Sequence, residues 1–214
     1  MPDHRMPAVI GIDFDNTIVS YDALIYREAV ERRLIEEPVQ KSKKAIRDAI
    51  RMLPDGEIEW QKVQASIYGP KMKSATAVEG VFDFFSLCAE TGIRTCIVSH
   101  KTQFANYDTT GTDLRVEALK WLEMAGFFNS DVSGISAGDV YFESTRAGKI
   151  ERMKSLKCTH FIDDLEETFL EPSFPPDVEK ILFSPHAPGR ATPGTGLKVF
   201  DAWKDIQGYF FDGR

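Results

Sequence analysis

Four short, nearly continuous apolar runs recur along the chain, and helical patterns separate them. Residues 8–14 read Ala-Val-Ile-Gly-Ile-Asp-Phe, as expected of a strand covered on both faces. Residues 94–99, 159–163 and 178–184 have the same character. Between the runs, apolar residues fall at helical spacing. Val81, Phe84, Phe85, Cys88 and Ala89 predict a helix over 81–91, stopped by Gly92. Leu114, Ala118, Leu119, Leu122 and Ala125 predict another over 114–125, followed by Gly126. Ile150, Met153 and Leu156 predict a helix over 149–156, and residues 202–210 a closing helix. Strands alternating with helices predict an α/β fold: a Rossmann-like parallel sheet, flanked by helices and joined by right-handed crossovers.

Residues 21–77 break the alternation and hold no convincing strand. Helical patterns run over 21–35, 42–53 and 57–68, with Pro38, the Pro54-Asp55-Gly56 turn and Gly69-Pro70 between and after them. The expected organisation is an α/β core of 1–20 and 78–214, with 21–77 inserted as a small α-helical lid. Residues 185–196, rich in Pro and Gly, read as a surface loop.

Composition narrows the function. The chain has 214 residues and 43% hydrophobic residues, enough for a sizeable core. Its formal charge of −7 repels phosphate backbones, so nucleic acid is not an expected partner. A phosphate site here has to be built locally, from a metal and a few cations. The cysteines at 88, 96 and 158 are widely spaced within apolar stretches, which reads as buried, reduced thiols. Residues 1–6 are polar and lack an apolar signal region, and no later run is long enough to span a bilayer. A cytoplasmic location without membrane contact is the expectation, and the oligomeric state is left open.

In open parallel sheets, ligands bind beyond the carboxyl ends of the strands. The first run ends in Asp13-Phe14-Asp15-Asn16-Thr17, the second in Ser99-His100-Lys101 and the third in Asp163-Asp164. Each signal alone has a plain structural reading. Asp15 to Thr17 can cap the following helix, Ser99 can be a loop residue, Lys149 a solvated helix lysine, and the acid pair a turn. Their order and joint occurrence carry the functional reading.

In these four places the sequence resembles the haloacid dehalogenase (HAD) superfamily. Asp13-Phe14-Asp15-Asn16-Thr17 resembles its first motif, Ser99 the second, Lys149 the third and Asp163-Asp164 the fourth. The helical insertion resembles a cap at the position between the first and second motifs. The resemblance implies a HAD-like phosphatase, a magnesium-dependent hydrolase of small phosphorylated metabolites working through an aspartyl-phosphate. It implies Asp13 as nucleophile and Asp15 as general acid and base. Ser99 and Lys149 would hold the phosphoryl oxygens. Asp13, the Asp15 main-chain carbonyl, Asp163 and Asp164 would bind Mg²⁺. Thr17 would organise the first loop through its hydroxyl. Apart from the resemblance, His100 and Lys101 directly follow Ser99 and read either as contacts to the leaving group or a second anionic group of the substrate, or as a solvent-facing loop.

Several points stay open in the sequence. Lys154 or Lys157 competes for the role of Lys149, and Asp163 competes with Asp164 for the metal. Glu166, Glu167 and Glu171 are candidates for a further acid, and Arg146 is within chain reach of the site. The basic run Lys41, Lys43, Lys44 and Arg47 reads as a solvated helix face or, as the minority reading, a phosphate-recognition surface. Other functions weighed are a phosphosugar mutase using the same aspartyl-phosphate and a non-catalytic module binding a phosphometabolite or a protein. Carbon–halogen hydrolysis needs neither the acid at position 15 nor a metal.

Overall fold

The computed structural model describes residues 8–36, 39–129, 133–185 and 196–212. Pro38 and most of the loop expected at 185–196 lie outside them. The chain forms two compact units. One comprises Met1–Ile18, Val78–His100 and Gly126–Arg214; the other comprises Val19–Ala77 and Lys101–Ala125.

The first unit is built on a parallel six-stranded sheet, an α/β Rossmann-like arrangement. Its strands are β1 (Val9–Ile12), β4 (Arg94–His100), β5 (Val140–Glu143), β6 (His160–Asp163), β7 (Glu179–Phe183) and β8 (Lys198–Phe200). They lie in the order β5-β4-β1-β6-β7-β8, so β1 is central. Ile12 pairs with Ile97 of β4 on one side and with Ile162 of β6 on the other. The flanking helices of this unit are α4 (Val81–Glu90), α6 (Arg146–Ser155), the short α7 (Glu166–Phe169) and α8 (Trp203–Phe211).

Both faces of the sheet are covered, which explains the continuous apolar runs of its central strands. Cys96, Val98, Ile150, Met153, Phe161 and Phe169 share one cluster. Gly11 of β1 permits it: a Cβ there would come within 2.6 Å of the Phe161 ring and 3.0 Å of the Cys158 sulfur. A second, aromatic cluster joins α4 and α8, with Phe84 5.0 Å from Trp203 and 5.6 Å from Phe210 between ring centroids. Gly80 precedes α4 at φ +81°, a left-handed conformation that suits glycine.

The second unit contains α1 (Asp22–Glu31), α2 (Lys43–Arg51), α3 (Gly56–Tyr68) and α5 (Leu114–Met124). It also holds a two-stranded antiparallel ribbon of β2 (Val19–Ser20) and β3 (Thr76–Ala77), too short to show a sequence period. Ser42 caps α2 by accepting a hydrogen bond from the Ala45 amide. The sequence placed residues 101–125 in the α/β core, but they group with 19–77. The reason is packing of α5: the buried Trp121 donates its indole N–H to the Ala75 carbonyl at 3.0 Å. Among the described residues, no helix is long and apolar enough to cross a membrane.

Candidate active site

The register of the central strands places the motif residues at one end of the sheet. Asp13 directly follows β1, and its amide donates to the Ile162 carbonyl of β6 at 2.8 Å. Asp163 ends β6 and Ser99 is the penultimate residue of β4. Three adjacent strands therefore deliver Asp13, Ser99 and Asp163 to the carboxyl edge. Phe14 turns away into packing, fully buried and edge-on to Phe142 at 6.0 Å. Asn16 takes the left-handed conformation, φ 61°, which turns the chain after Asp15.

Lys149 reaches this edge from α6. The helix begins at Arg146 rather than at Lys149, because Thr145 caps it by accepting from the Gly148 amide at 2.9 Å. Lys149 thus sits in the first turn. Its ammonium lies 2.6 Å from Asp13 Oδ1 and 2.6 Å from Asp163 Oδ2. All three side chains are nearly sealed from solvent: Lys149 is 3% exposed, Asp13 5% and Asp163 0%. Lys154, one of the two competing lysines, instead pairs with Glu151 on the surface. The second oxygen of Asp163 accepts from the Leu165 amide at 3.0 Å, so both of its oxygens are engaged by the protein.

Burial pushes the Asp13 carboxyl up to about 6, against the pull of Lys149, and the charges of Asp163 and Asp15 add to the rise. Burial would lower the Lys149 ammonium, but Asp13 and Asp163 outweigh it and hold it above its ordinary value. The cluster is therefore short of positive charge, with one lysine serving two buried carboxylates. Asp13, Asp163 and Asp164 each offer an oxygen, and these oxygens lie within 4.8 Å of one another. Clustered hard oxygen donors with an excess of negative charge fit a divalent cation such as Mg²⁺.

The remaining sequence candidates divide. Asp15 and Asp164 are half-buried beside the cluster residues in the chain, and Ser99 is buried at 1% exposure. His100 is exposed and its Nε2 lies 3.1 Å from the Ser144 carbonyl. Thr17 departs from expectation. It is fully buried and presents no surface to a substrate, and its hydroxyl oxygen has no hydrogen-bond partner among the described residues. Its carbonyl, not its hydroxyl, ties the loop down, by accepting from the Trp203 indole at 3.0 Å. Arg146 and Glu171, both weighed as site residues, pair with each other at 2.8 Å. Lys101 belongs to the second unit, where its ammonium lies 5.1 Å from the Tyr68 ring centroid.

Neither comparison with protein-family profiles nor comparison with curated sequences finds a match for this chain. Solved structures do share its fold, that of HAD-like hydrolases. One is a haloacid dehalogenase-like hydrolase from Streptococcus pneumoniae, with a TM-score of 0.59 and 12% identity over 95% of this chain and 98% of that one. Another is the HAD hydrolase YfnB from Bacillus subtilis, solved bound to magnesium (TM-score 0.57, 12% identity, 97% and 100% covered). A third, from Deinococcus radiodurans, has bound phosphate and sodium (TM-score 0.56, 14% identity, 98% and 97% covered). A dehalogenase has the fold as well, so the fold by itself does not select the chemistry.

Proposed function

We propose that the protein is a Mg²⁺-dependent phosphomonoester hydrolase that acts on a small phosphorylated metabolite through an aspartyl-phosphate on Asp13. The observation that carries this reading is the buried Asp13–Lys149–Asp163 cluster with Asp164 beside it. Carbon–halogen hydrolysis has no use for so many carboxylates around the nucleophile, whereas a divalent cation does. Asp13, Asp164, the Asp15 carbonyl and, more weakly, Asp163 would hold Mg²⁺. Bound there, the cation would neutralise the meeting of anionic nucleophile and anionic substrate and orient the phosphoryl oxygens.

The protein's own groups then have distinct tasks. The Asp13 carboxylate attacks phosphorus, and the bond from phosphorus to the ester oxygen breaks. Asp15 gives its proton to the leaving oxygen, then takes one from the water that hydrolyses the acyl phosphate. Lys149 holds Asp13 ionised and in place, since its ammonium stands 2.6 Å from the carboxylate. Ser99, at the end of β4, donates its hydroxyl hydrogen to a phosphoryl oxygen. Asp163 keeps both oxygens on Lys149 and the Leu165 amide, which makes it a buttress for the lysine and leaves Asp164 as the stronger metal ligand of the pair.

The test is phosphate release from a panel of phosphorylated sugars, nucleotides and small acids, with and without Mg²⁺, using Asp13→Asn as control. Release that requires Mg²⁺ and vanishes in the variant supports the reading. Absence of release from every compound, with Mg²⁺ still bound, contradicts it and points to a mutase or a binding module.

A further inference from the structure

Two of the three cysteines meet inside the first unit, with no part in the reaction steps above. Cys96 lies within β4 and Cys158 on the turn from α6 to β6, and their sulfurs are 3.9 Å apart. Each position follows from local structure. Cys96 and Val98, two apart on a strand, share one face of β4 and join the cluster that holds Ile150 and Met153 of α6. After α6, Lys157 takes the left-handed conformation, φ 56°. Its amide donates to the Lys154 carbonyl at 2.9 Å, and the Cys158 amide donates to the Met153 carbonyl at 3.2 Å. This helix ending brings Cys158 into the same cluster as Met153.

Strand β1 runs between β4 and β6, and Gly11 of β1 is the ladder partner of Cys96. A Cβ at Gly11 would press on the Cys158 sulfur, so glycine leaves the space beside β1 to the two thiols. The thiols differ in what each offers an oxidant. Cys158 keeps 6% of its surface exposed, whereas Cys96 is sealed. The hydrogen bond with Cys96 draws the Cys158 thiol below its ordinary value, against burial and with help from the Arg94 charge. The same bond, with burial behind it, pushes the Cys96 thiol up. Cys88, fully buried on α4, is pushed by burial to about 12. The thiolate is the reactive form of a cysteine, so Cys158 is the first sulfur of the three to react.

We propose that Cys96 and Cys158 are a covalent modification site: a dithiol that a peroxide closes to a disulfide within the folded sheet. Bond formation brings the sulfurs from 3.9 Å to about 2.05 Å. The Cys158 thiolate attacks one oxygen of hydrogen peroxide and the O–O bond breaks. Cys158 becomes a sulfenic acid, and the departing hydroxide takes the proton that the thiol gave up. Cys96 then attacks the Cys158 sulfur, the S–O bond breaks, and the hydroxyl leaves with the Cys96 proton as water. Two thiols and one peroxide give one disulfide and two waters, with two electrons passing from sulfur to oxygen. The bond staples β4 to the start of β6, the two strands that flank β1 and carry Ser99 and Asp163.

The test is peptide mapping of the folded, full-length protein after treatment with hydrogen peroxide, with the remaining thiols alkylated in urea before digestion. Trypsin leaves the three cysteines in separate peptides, 74–94, 95–101 and 158–180. The expected product is a link between 95–101 and 158–180 in monomeric protein, reversed by dithiothreitol, with Cys88 in 74–94 still alkylated. The oxidised protein is expected to melt cooperatively, at or above the temperature of the reduced form, because a link between residues 62 apart restricts the unfolded chain. Cys96→Ser should leave a sulfenic acid on Cys158 that dimedone traps, and Cys158→Ser should leave Cys96 reduced. The wild-type map decides the proposal even if a variant fails to fold, and it needs no phosphatase activity. Absence of the link, a link formed only when peroxide is added in urea, equal loss of all three thiols, or a lower melting temperature on oxidation overturns it.

Discussion

Each unit of the molecule buries a carboxylate against a lysine, and the two arrangements are opposite in balance. In the second unit, Glu28 is 3% exposed and is served by Lys71 and Arg32, with the Arg32 nitrogen 2.7 Å away. Burial would raise its carboxyl, but hydrogen bonds from Lys71, Arg32 and Ser66 outweigh that and hold it below the ordinary carboxylate value. In the first unit the ratio is inverted: one lysine faces two buried carboxylates, and Asp13 is raised to about 6. A carboxylate with surplus partners ties α1 to the segment after α3. Under the proposed function, a carboxylate short of partners is held in readiness for a cation and a substrate. The direction of the shift, more than the presence of an ion pair, separates a structural contact from a reactive one.

The contrast breaks most sharply at Asp13. Asp13→Asn is expected to lower phosphate release by about 10⁴-fold or more, with the fold retained by circular dichroism, because the variant lacks the proposed nucleophile. Lys149→Met leaves two buried carboxylates without their cation. It should cost about 3–5 kcal/mol in metal-free urea titrations, and added Mg²⁺ should recover part of that. Glu28→Gln removes a charge from a well-served site and should cost about 1–3 kcal/mol, with the Mg²⁺ dependence of turnover unchanged.

Acid titration sharpens the contrast further, because the two carboxylates have opposite signs of linkage. The depressed Glu28 contributes stability that is fully present above its unfolded value of 4.5 and is lost as pH falls through its lower folded value. The gap between wild type and Glu28→Gln should therefore close in acid. The raised Asp13 does the reverse. Its ionisation in the fold costs stability, a cost absent below 3.8 and complete above about 6. Metal-free Asp13→Asn should accordingly be no less stable than wild type at pH 8. Denaturant midpoints across the pH range measure both effects, and a parallel response of the two variants would contradict the distinction.

What the sequence disclosed follows from the same local physics. Central strands β1, β4, β6 and β7 read as apolar runs because both faces are covered. The edge strands β5 and β8 were missed: all seven of their residues are only half-buried, and their apolar stretches, Val140-Tyr141-Phe142 and Val199-Phe200, are short. The start of α6 was placed three residues late because apolar periodicity marks the packed part of a helix, while its beginning is set by the Thr145 cap. No local pattern says which unit a helix joins, so the placement of α5 was beyond reach. The three residues that the structure brings into contact, Asp13, Asp163 and Lys149, stand out in the sequence as motifs in order. The contact of Lys149 with Asp13 and the tie from the Trp203 indole to the Thr17 carbonyl join residues distant in the chain, which no local pattern shows.

The most direct test of the account is detection of the phosphorylated enzyme. Asp15→Asn should slow hydrolysis of the acyl phosphate, so that acid quenching followed by borohydride reduction and peptide mass mapping captures the intermediate. The account expects one phosphoryl-dependent modification, located on Asp13, formed only with Mg²⁺ and substrate. Phosphate release by the wild-type protein with no such adduct at Asp13, or with the adduct on another residue, would contradict it.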